Sequence, residues 1–202
     1  LVGSEMCIRD RKQDEQEVIS KTYTGWTGGV QFKYYPIENL AFFVEPRMSF
    51  VPYTFTEKTI SGKVNEYSFM DKLMNISVGV ELRRPTRPQW QQLAKLRGDF
   101  TPYYYTSYAV GMTMPQQLNR PTSRRPGFIT GAAVGRQFSP LSGFRLGLDF
   151  NNAATRLADA KVDRYTFTSL SLDYMFDISN WVIGYDPERK FGTEVFAGPV
   201  IT

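Results

Sequence analysis

The side chains here that could do chemistry are carboxylates, guanidiniums and ammoniums, because the 202 residues contain no His and a single Cys. Without imidazole there is no Ser-His or Cys-His nucleophile system, no imidazole zinc site and no ordinary general base near neutral pH. One thiol cannot make a disulfide framework, a thiolate zinc site or an iron–sulfur cluster. What remains is a set of acids and bases at alternating positions: Glu45, Glu81, Asp149, Asp173 and Glu194 with Lys33, Arg47, Arg83 and Arg145. Two carboxylates in a cleft can divide acid and base roles. Carboxylates interleaved with cations instead make a structural ion network, and that is the plainer reading of these nine. The expectation is a protein that is not an enzyme, with no cofactor and no metal.

A second cluster, Arg120, Arg124 and Arg125, stands among Pro115, Pro121 and Pro126. In an exposed loop these guanidiniums could pair bidentately with lipopolysaccharide phosphates, against the plainer reading of a solvated basic loop. Lys and Arg number 24 against 20 Asp and Glu, dispersed without a basic stripe, so no nucleic-acid partner is expected. No G-x-x-x-x-G-K-[ST] phosphate loop occurs.

The elements that carry these residues repeat with a period of two, and helical periodicity is nearly absent. Met74, Ile76, Val78, Val80 and Leu82 share one face, opposite Asn75, Ser77, Gly79, Glu81 and Arg83. Phe144, Leu146, Leu148 and Phe150 oppose Arg145, Gly147, Asp149 and Asn151, and Leu170, Leu172, Tyr174 and Phe176 oppose Ser169, Ser171, Asp173 and Asp177. These patterns predict eight strands, at 26–35, 40–51, 68–83, 100–112, 127–138, 143–151, 165–176 and 193–202, with a short helical connector over Pro88–Arg97. Most exceed the globular norm of about 5–6 residues and match the roughly 9–11 needed to cross a bilayer at a tilt.

The polarity of the two faces is inverted relative to a soluble barrel. The polar face is Gly, Ser and Asn with isolated charges of both signs, which suits a crowded lumen. The other face carries hardly any charge, and one there would cost about 2–4 kcal/mol at the bilayer midplane. Its lipid-facing members are expected to include Met74, Ile76, Val78, Val80, Leu82, Phe144, Leu146, Leu148, Leu170 and Leu172. Trp26, Tyr34, Tyr35, Tyr53, Phe55, Tyr103, Tyr104, Tyr105, Tyr165, Phe167, Trp181 and Tyr185 fall near strand ends, where a membrane barrel carries aromatic girdles. Aromatics also favour any sheet, so the girdle is one of two readings.

Links near 36–39 and 139–142 are short, whereas those over 53–67, 113–126 and 152–164 are long and fall on the opposite side of the sheet; two longer links, 84–99 and 177–192, share the short-turn side and depart from the simplest pattern. With long loops outside and short turns in the periplasm, the first strand would begin outside and the eighth would end there. Single-chain barrels normally keep both termini in the periplasm. The expectation is therefore an antiparallel up-and-down transmembrane β-barrel with about eight strands visible of a larger one, incomplete at both ends over 13–202. Residues 28–50 and 131–150 both read as Gly-rich strand, short turn and strand, with Glu45 and Asp149 in matching positions. That is either a duplicated hairpin or the likeness of any two barrel hairpins. Residues 1–12 are set aside. The run Leu1-Val2-Gly3-Ser4-Glu5-Met6-Cys7-Ile8-Arg9-Asp10-Arg11 resembles translated sequencing-adapter DNA, with a disordered tail as the alternative.

The run Ser179-Asn180-Trp181-Val182-Ile183-Gly184-Tyr185-Asp186-Pro187-Glu188-Arg189-Lys190-Phe191, followed by Val195-Phe196-Ala197-Gly198, resembles a motif of Bacteroidetes outer-membrane barrels of the OmpA-like/porin-like class. Arg124-Arg125-Pro126-Gly127-Phe128 ahead of a Gly-rich strand is similar to them as well. The resemblance implies a Gram-negative outer-membrane location, lipid and lipopolysaccharide as surroundings, a signal peptide upstream and a peptidoglycan-binding domain downstream. It identifies a scaffold rather than a reaction. The function expected is a structural, membrane-integrity or passive pore role. The alternative is a soluble lipocalin-like barrel in which Met74, Ile76, Val78, Val80 and Leu82 would line a cavity for a small apolar ligand.

Overall fold

Alternation of apolar and polar residues lets a strand present one face to each of two surroundings, and all eight strands read from the sequence form. The computed structural model describes residues 23–58, 64–85, 97, 99–116, 123–156 and 162–202. The strands are β1 (Thr24–Ile37), β2 (Leu40–Lys58), β3 (Val64–Pro85), β4 (Tyr103–Gln116), β5 (Ser123–Gln137), β6 (Ser142–Arg156), β7 (Val162–Asp177) and β8 (Phe191–Ile201). Each pairs antiparallel with its chain neighbours, and β1 pairs with β8 from Thr24↔Ile201 to Tyr34↔Phe191.

That last pairing corrects the expectation of a larger, open-edged barrel. The sheet closes on itself with eight strands, and backbone bonds between Tyr23 and Thr202 continue the seam past the strand ends. Closure needs no further strand, because β8 supplies the donors and acceptors that β1 would otherwise leave unpaired. Counting loop sides could not anticipate this, since a closed sheet can carry both ends on either rim.

The long loops are corrected too. β2 and β3 stay in register out to Lys58↔Val64, and β6 and β7 out to Arg156↔Val162, so the hairpins run on through most of the residues assigned to loops. The connector helix over Pro88–Arg97 lies outside the described residues except for Arg97, which is helical. The link after β7 instead holds a six-residue helix, α1 (Ile178–Ile183).

Prolines interrupt the ladder locally. Pro46 has no N–H to donate, and the β1–β2 register passes from Gly29↔Arg47 to Phe32↔Val44 around it. The β5–β6 register shifts between Arg125 and Phe128, the stretch containing Pro126.

An eight-stranded barrel is just wide enough inside for its own side chains. Its interior holds the apolar residues Phe43, Leu73, Tyr105, Ile129, Met175 and Phe196 together with a larger polar set. Glycines make room for the bulky ones: a Cβ at Gly135 would run into the Tyr105 ring, and one at Gly29 would lie 2.7 Å from the Phe196 ring. On the outside, Ile76, Val78, Leu82, Phe144, Leu146, Leu148, Leu170 and Leu172 are exposed, and Met74 and Val80 on the same face are half-buried.

Closure is directly testable. Val30 and Val195 are cross-strand partners at the β1–β8 seam. With Cys7→Ser to remove the native thiol, Val30→Cys/Val195→Cys should form an intramolecular disulfide on mild oxidation, read as a mobility shift of the monomer. An open sheet would give uncrosslinked monomer or intermolecular dimers.

Candidate functional site

The inward positions gather all nine charged residues predicted for the lumen, and each is ion-paired. Lys33 on β1 donates to Glu81 on β3 at 2.8 Å and pairs with Glu194 on β8 at 2.9 Å. Arg83 Nε bonds Glu81 at 2.8 Å from the same strand. Arg145 on β6 reaches Glu45 on β2 at 2.6 Å and Asp173 on β7 at 2.9 Å. Arg47 on β2 pairs with its strand neighbour Glu45 at 2.6 Å and crosses to Asp149 on β6.

β2 and β6 stand four strands apart around the ring, so these last contacts span the lumen. They are reciprocal: the β2 carboxylate Glu45 takes the β6 guanidinium Arg145, while the β6 carboxylate Asp149 takes the β2 guanidinium Arg47. The matching positions of Glu45 and Asp149 in the two hairpins thus become the two halves of one cross-brace. Gln31 adds a bond to Glu45 at 3.0 Å.

Aromatic faces cover the cations from their remaining sides. Arg83 lies between Tyr35, at 4.1 Å to the ring centroid, and Tyr103, at 4.7 Å. Arg145 sits 4.2 Å over Phe196, and Lys33 lies 5.4 Å over Tyr105. A desolvated cation gains up to about 2 kcal/mol from such a face. Tyr35, Tyr103 and Tyr105 accordingly turn inward rather than joining a rim girdle, while Trp26, Tyr34, Tyr104 and Trp181 are exposed. Tyr35, Tyr103 and Tyr105 depart from the expected girdle because a place near a strand end does not say which face a side chain takes, and Gln31, being uncharged, falls outside a reading built on charged residues. The available signal was parity, since Tyr35 lies two residues from Lys33, and Tyr103 and Tyr105 alternate with outward Tyr104.

Beyond the brace, toward the chain ends, the described interior residues are neutral. Thr27 and Ser49 approach at 3.2 Å, Asn151 donates to Ser169 at 3.3 Å, and the cross-strand partners Asn75 and Thr113 are buried.

At the short-turn rim, α1 caps the barrel. Asp177 at the end of β7 accepts from the Asn180 backbone N–H at 2.7 Å and from its side-chain amide at 2.8 Å. Asn180 also donates to the Pro140 carbonyl at 2.7 Å, and the Ser179 hydroxyl accepts from the Thr193 N–H at 2.6 Å. Arg189 donates to the Asn180 side chain at 3.0 Å and the Gly184 carbonyl at 2.5 Å. Gly184 has φ of 89°, a conformation that favours glycine at a helix C-terminus. The Ser179–Lys190 run is therefore a built cap rather than a simple link. A cavity of about 390 Å³ lies under it, walled in part by Arg83, Phe100, Tyr103 and Tyr185. Burial there raises the Tyr185 phenol above its ordinary range.

Arg120 lies outside the described residues, as does Cys7 with the rest of 1–22. Arg124 and Arg125 fall on β5, opposite Thr155 and Ala154, rather than in a loop. Among the described residues no three potential metal ligands from His, Cys, Asp or Glu cluster together. No described helix is long and apolar enough to cross a membrane, which leaves strand crossing open.

Comparison with protein-family models and with curated proteins gives no match. The class is defined by architecture: a closed, eight-stranded antiparallel β-barrel with an ion-paired interior and an apolar exterior.

Breaking the network should be expensive. Lys33→Met removes the ion partner of Glu194 among the described residues, and should cost about 3–5 kcal/mol by stranding a buried carboxylate. Lys190→Gln at the exposed rim should stay within about 0.5 kcal/mol. Urea unfolding midpoints in micelles separate the two, and Lys33→Met/Glu194→Gln should recover part of the loss.

Proposed function

We propose that this chain is the β-barrel of a Gram-negative outer-membrane protein, with a structural, membrane-integrity role and no catalytic one. The observation that carries the reading is the polarity inversion: long strands put Leu, Val, Ile and Phe on the outer face and a paired ion network within. In water this arrangement exposes the apolar stripe that folding normally hides. In lipid it satisfies the backbone through a closed sheet and keeps charge off the hydrocarbon.

Between structural and passive pore roles, the cross-brace favours the structural one. Arg145, Glu45, Arg47 and Asp149 span the lumen, and Arg83, Tyr35 and Tyr103 stack near the short-turn mouth. The lipocalin-like alternative needs Met74, Ile76, Val78, Val80 and Leu82 around an internal cavity, whereas these residues lie on the exterior face. The partners in this reading are outer-membrane lipid and lipopolysaccharide, the latter through Arg124 and Arg125. Peptidoglycan would be reached only through a further domain, as the resemblance to OmpA-like barrels of Bacteroidetes suggests.

The test is extraction and electrophoresis followed by planar-bilayer recording. The reading expects a protein that needs detergent, migrates in a compact form lost on boiling, and gives no sustained conductance. Steady, ohmic conductance would favour the passive pore. A monomer that stays in aqueous buffer would return the soluble barrel.

A further inference from the structure

Helix α1 is built the wrong way round for a helix facing water. Its polar residues Ser179 and Asn180 are turned to the barrel and fixed there by the bonds to Thr193, Asp177, Pro140 and Arg189. Its large apolar residues point away: Trp181 and Val182 are each 67% exposed and Ile183 75%, and no residue of the helix is buried. Apolar residues scattered singly on a surface need no explanation, but three consecutive ones on a rigidly bolted turn do.

Their position supplies it. Trp181 packs edge-on against Phe176 at 6.1 Å, and Phe176 follows Leu170, Leu172 and Tyr174 on the outer face of β7. From Tyr174 the aromatic contact passes to Phe144 at 5.5 Å and on to Phe138 at 5.6 Å. The exposed turn is thus continuous with the apolar exterior at the short-turn rim, and leads away from the mouth cavity. Indole and tyrosine rings at such a level suit the headgroup boundary, where one edge is wet and the other apolar.

We propose that α1 is an interfacial anchor: Trp181, Val182 and Ile183 enter the lipid headgroup region beside the short-turn rim, with the Asp177–Asn180–Arg189 clamp holding the helix at that depth. This rests on the membrane-barrel reading and goes beyond the girdle expected of Trp181 alone, since it assigns the interface to a whole helical turn with Val182 and Ile183 and names the clamp that sets its depth. A short apolar turn buried at the interface resists both withdrawal into water and deeper entry, because Ser179 and Asn180 stay bonded to the rim.

Depth-dependent fluorescence quenching tests it. In the full chain carrying Trp26→Phe and Trp90→Phe, Trp181 is the only indole. In phosphatidylcholine vesicles, lipids brominated near the carbonyls should quench Trp181 more strongly than lipids brominated deep in the acyl chain, and its emission should lie to the blue of indole in water. A companion with Trp26→Phe, Trp90→Phe, Trp181→Phe and Leu148→Trp reports whether the barrel wall is in lipid. Quenching of the wall probe with unquenched, water-like Trp181 overturns the anchor and leaves the barrel standing, with the turn then free for a soluble partner. No quenching of either probe overturns both. An Ile183→Cys spin label in the Cys7→Ser chain, scored for oxygen against aqueous relaxant, gives the same decision without altering any tryptophan.

Discussion

The interaction on which the rest depends is the pair of crossed contacts between β2 and β6, Arg145 to Glu45 and Arg47 to Asp149. A barrel of eight strands has an interior that must be filled by its own side chains. Four of these are charged residues from opposite walls, and buried ions are tolerated only when paired and hydrogen-bonded. Each strand's carboxylate needs the guanidinium from across the lumen, so the brace fixes both the separation of the walls and their relative height. The Lys33, Glu81 and Glu194 cluster does the same for β1, β3 and β8, and thereby ties the strands on both sides of the closing seam.

The exterior follows from the interior. Once alternate positions are committed to the brace, the remaining positions of every strand face outward together. That commitment explains why an exterior of Leu, Val, Ile and Phe coexists with buried Glu81 and Asp173 that are 0% exposed. The same logic reaches α1, whose polar atoms are spent on the rim and whose apolar ones are turned out. Strand and cap therefore describe the same surroundings by different routes.

Much of this was legible in the sequence, because period-two patterning is a local property. Alternation alone separates the two faces of Met74–Arg83 and of Phe144–Asn151, and the nine charges on the polar face are ion-paired inside the barrel. Closure was not legible: the pairing of Gly28 with Ala197 joins residues at opposite ends of the chain, and no local pattern records it. The β4–β5 hairpin reads short because Pro115 and Pro126 stand in the stretch taken as a loop, although Pro115 pairs in register with Leu73 and the ladder merely shifts around Pro126. Helix α1 is too short to show a helical period, and only its cap chemistry, Asp177 three residues before Asn180, marks it. The inward tyrosines escaped because their role is set by Arg83 and Lys33, which hydropathy does not weigh.

The most direct test of the account is the coupling energy between Glu45 and Arg145, from a double-mutant cycle of Glu45→Gln, Arg145→Gln and the double variant, unfolded reversibly in micelles. A brace desolvated inside the barrel predicts a coupling above about 1.5 kcal/mol, at the upper part of the range for residues sharing a buried network. A value of about 0.5 kcal/mol or less, typical of solvent-exposed pairs, would contradict it.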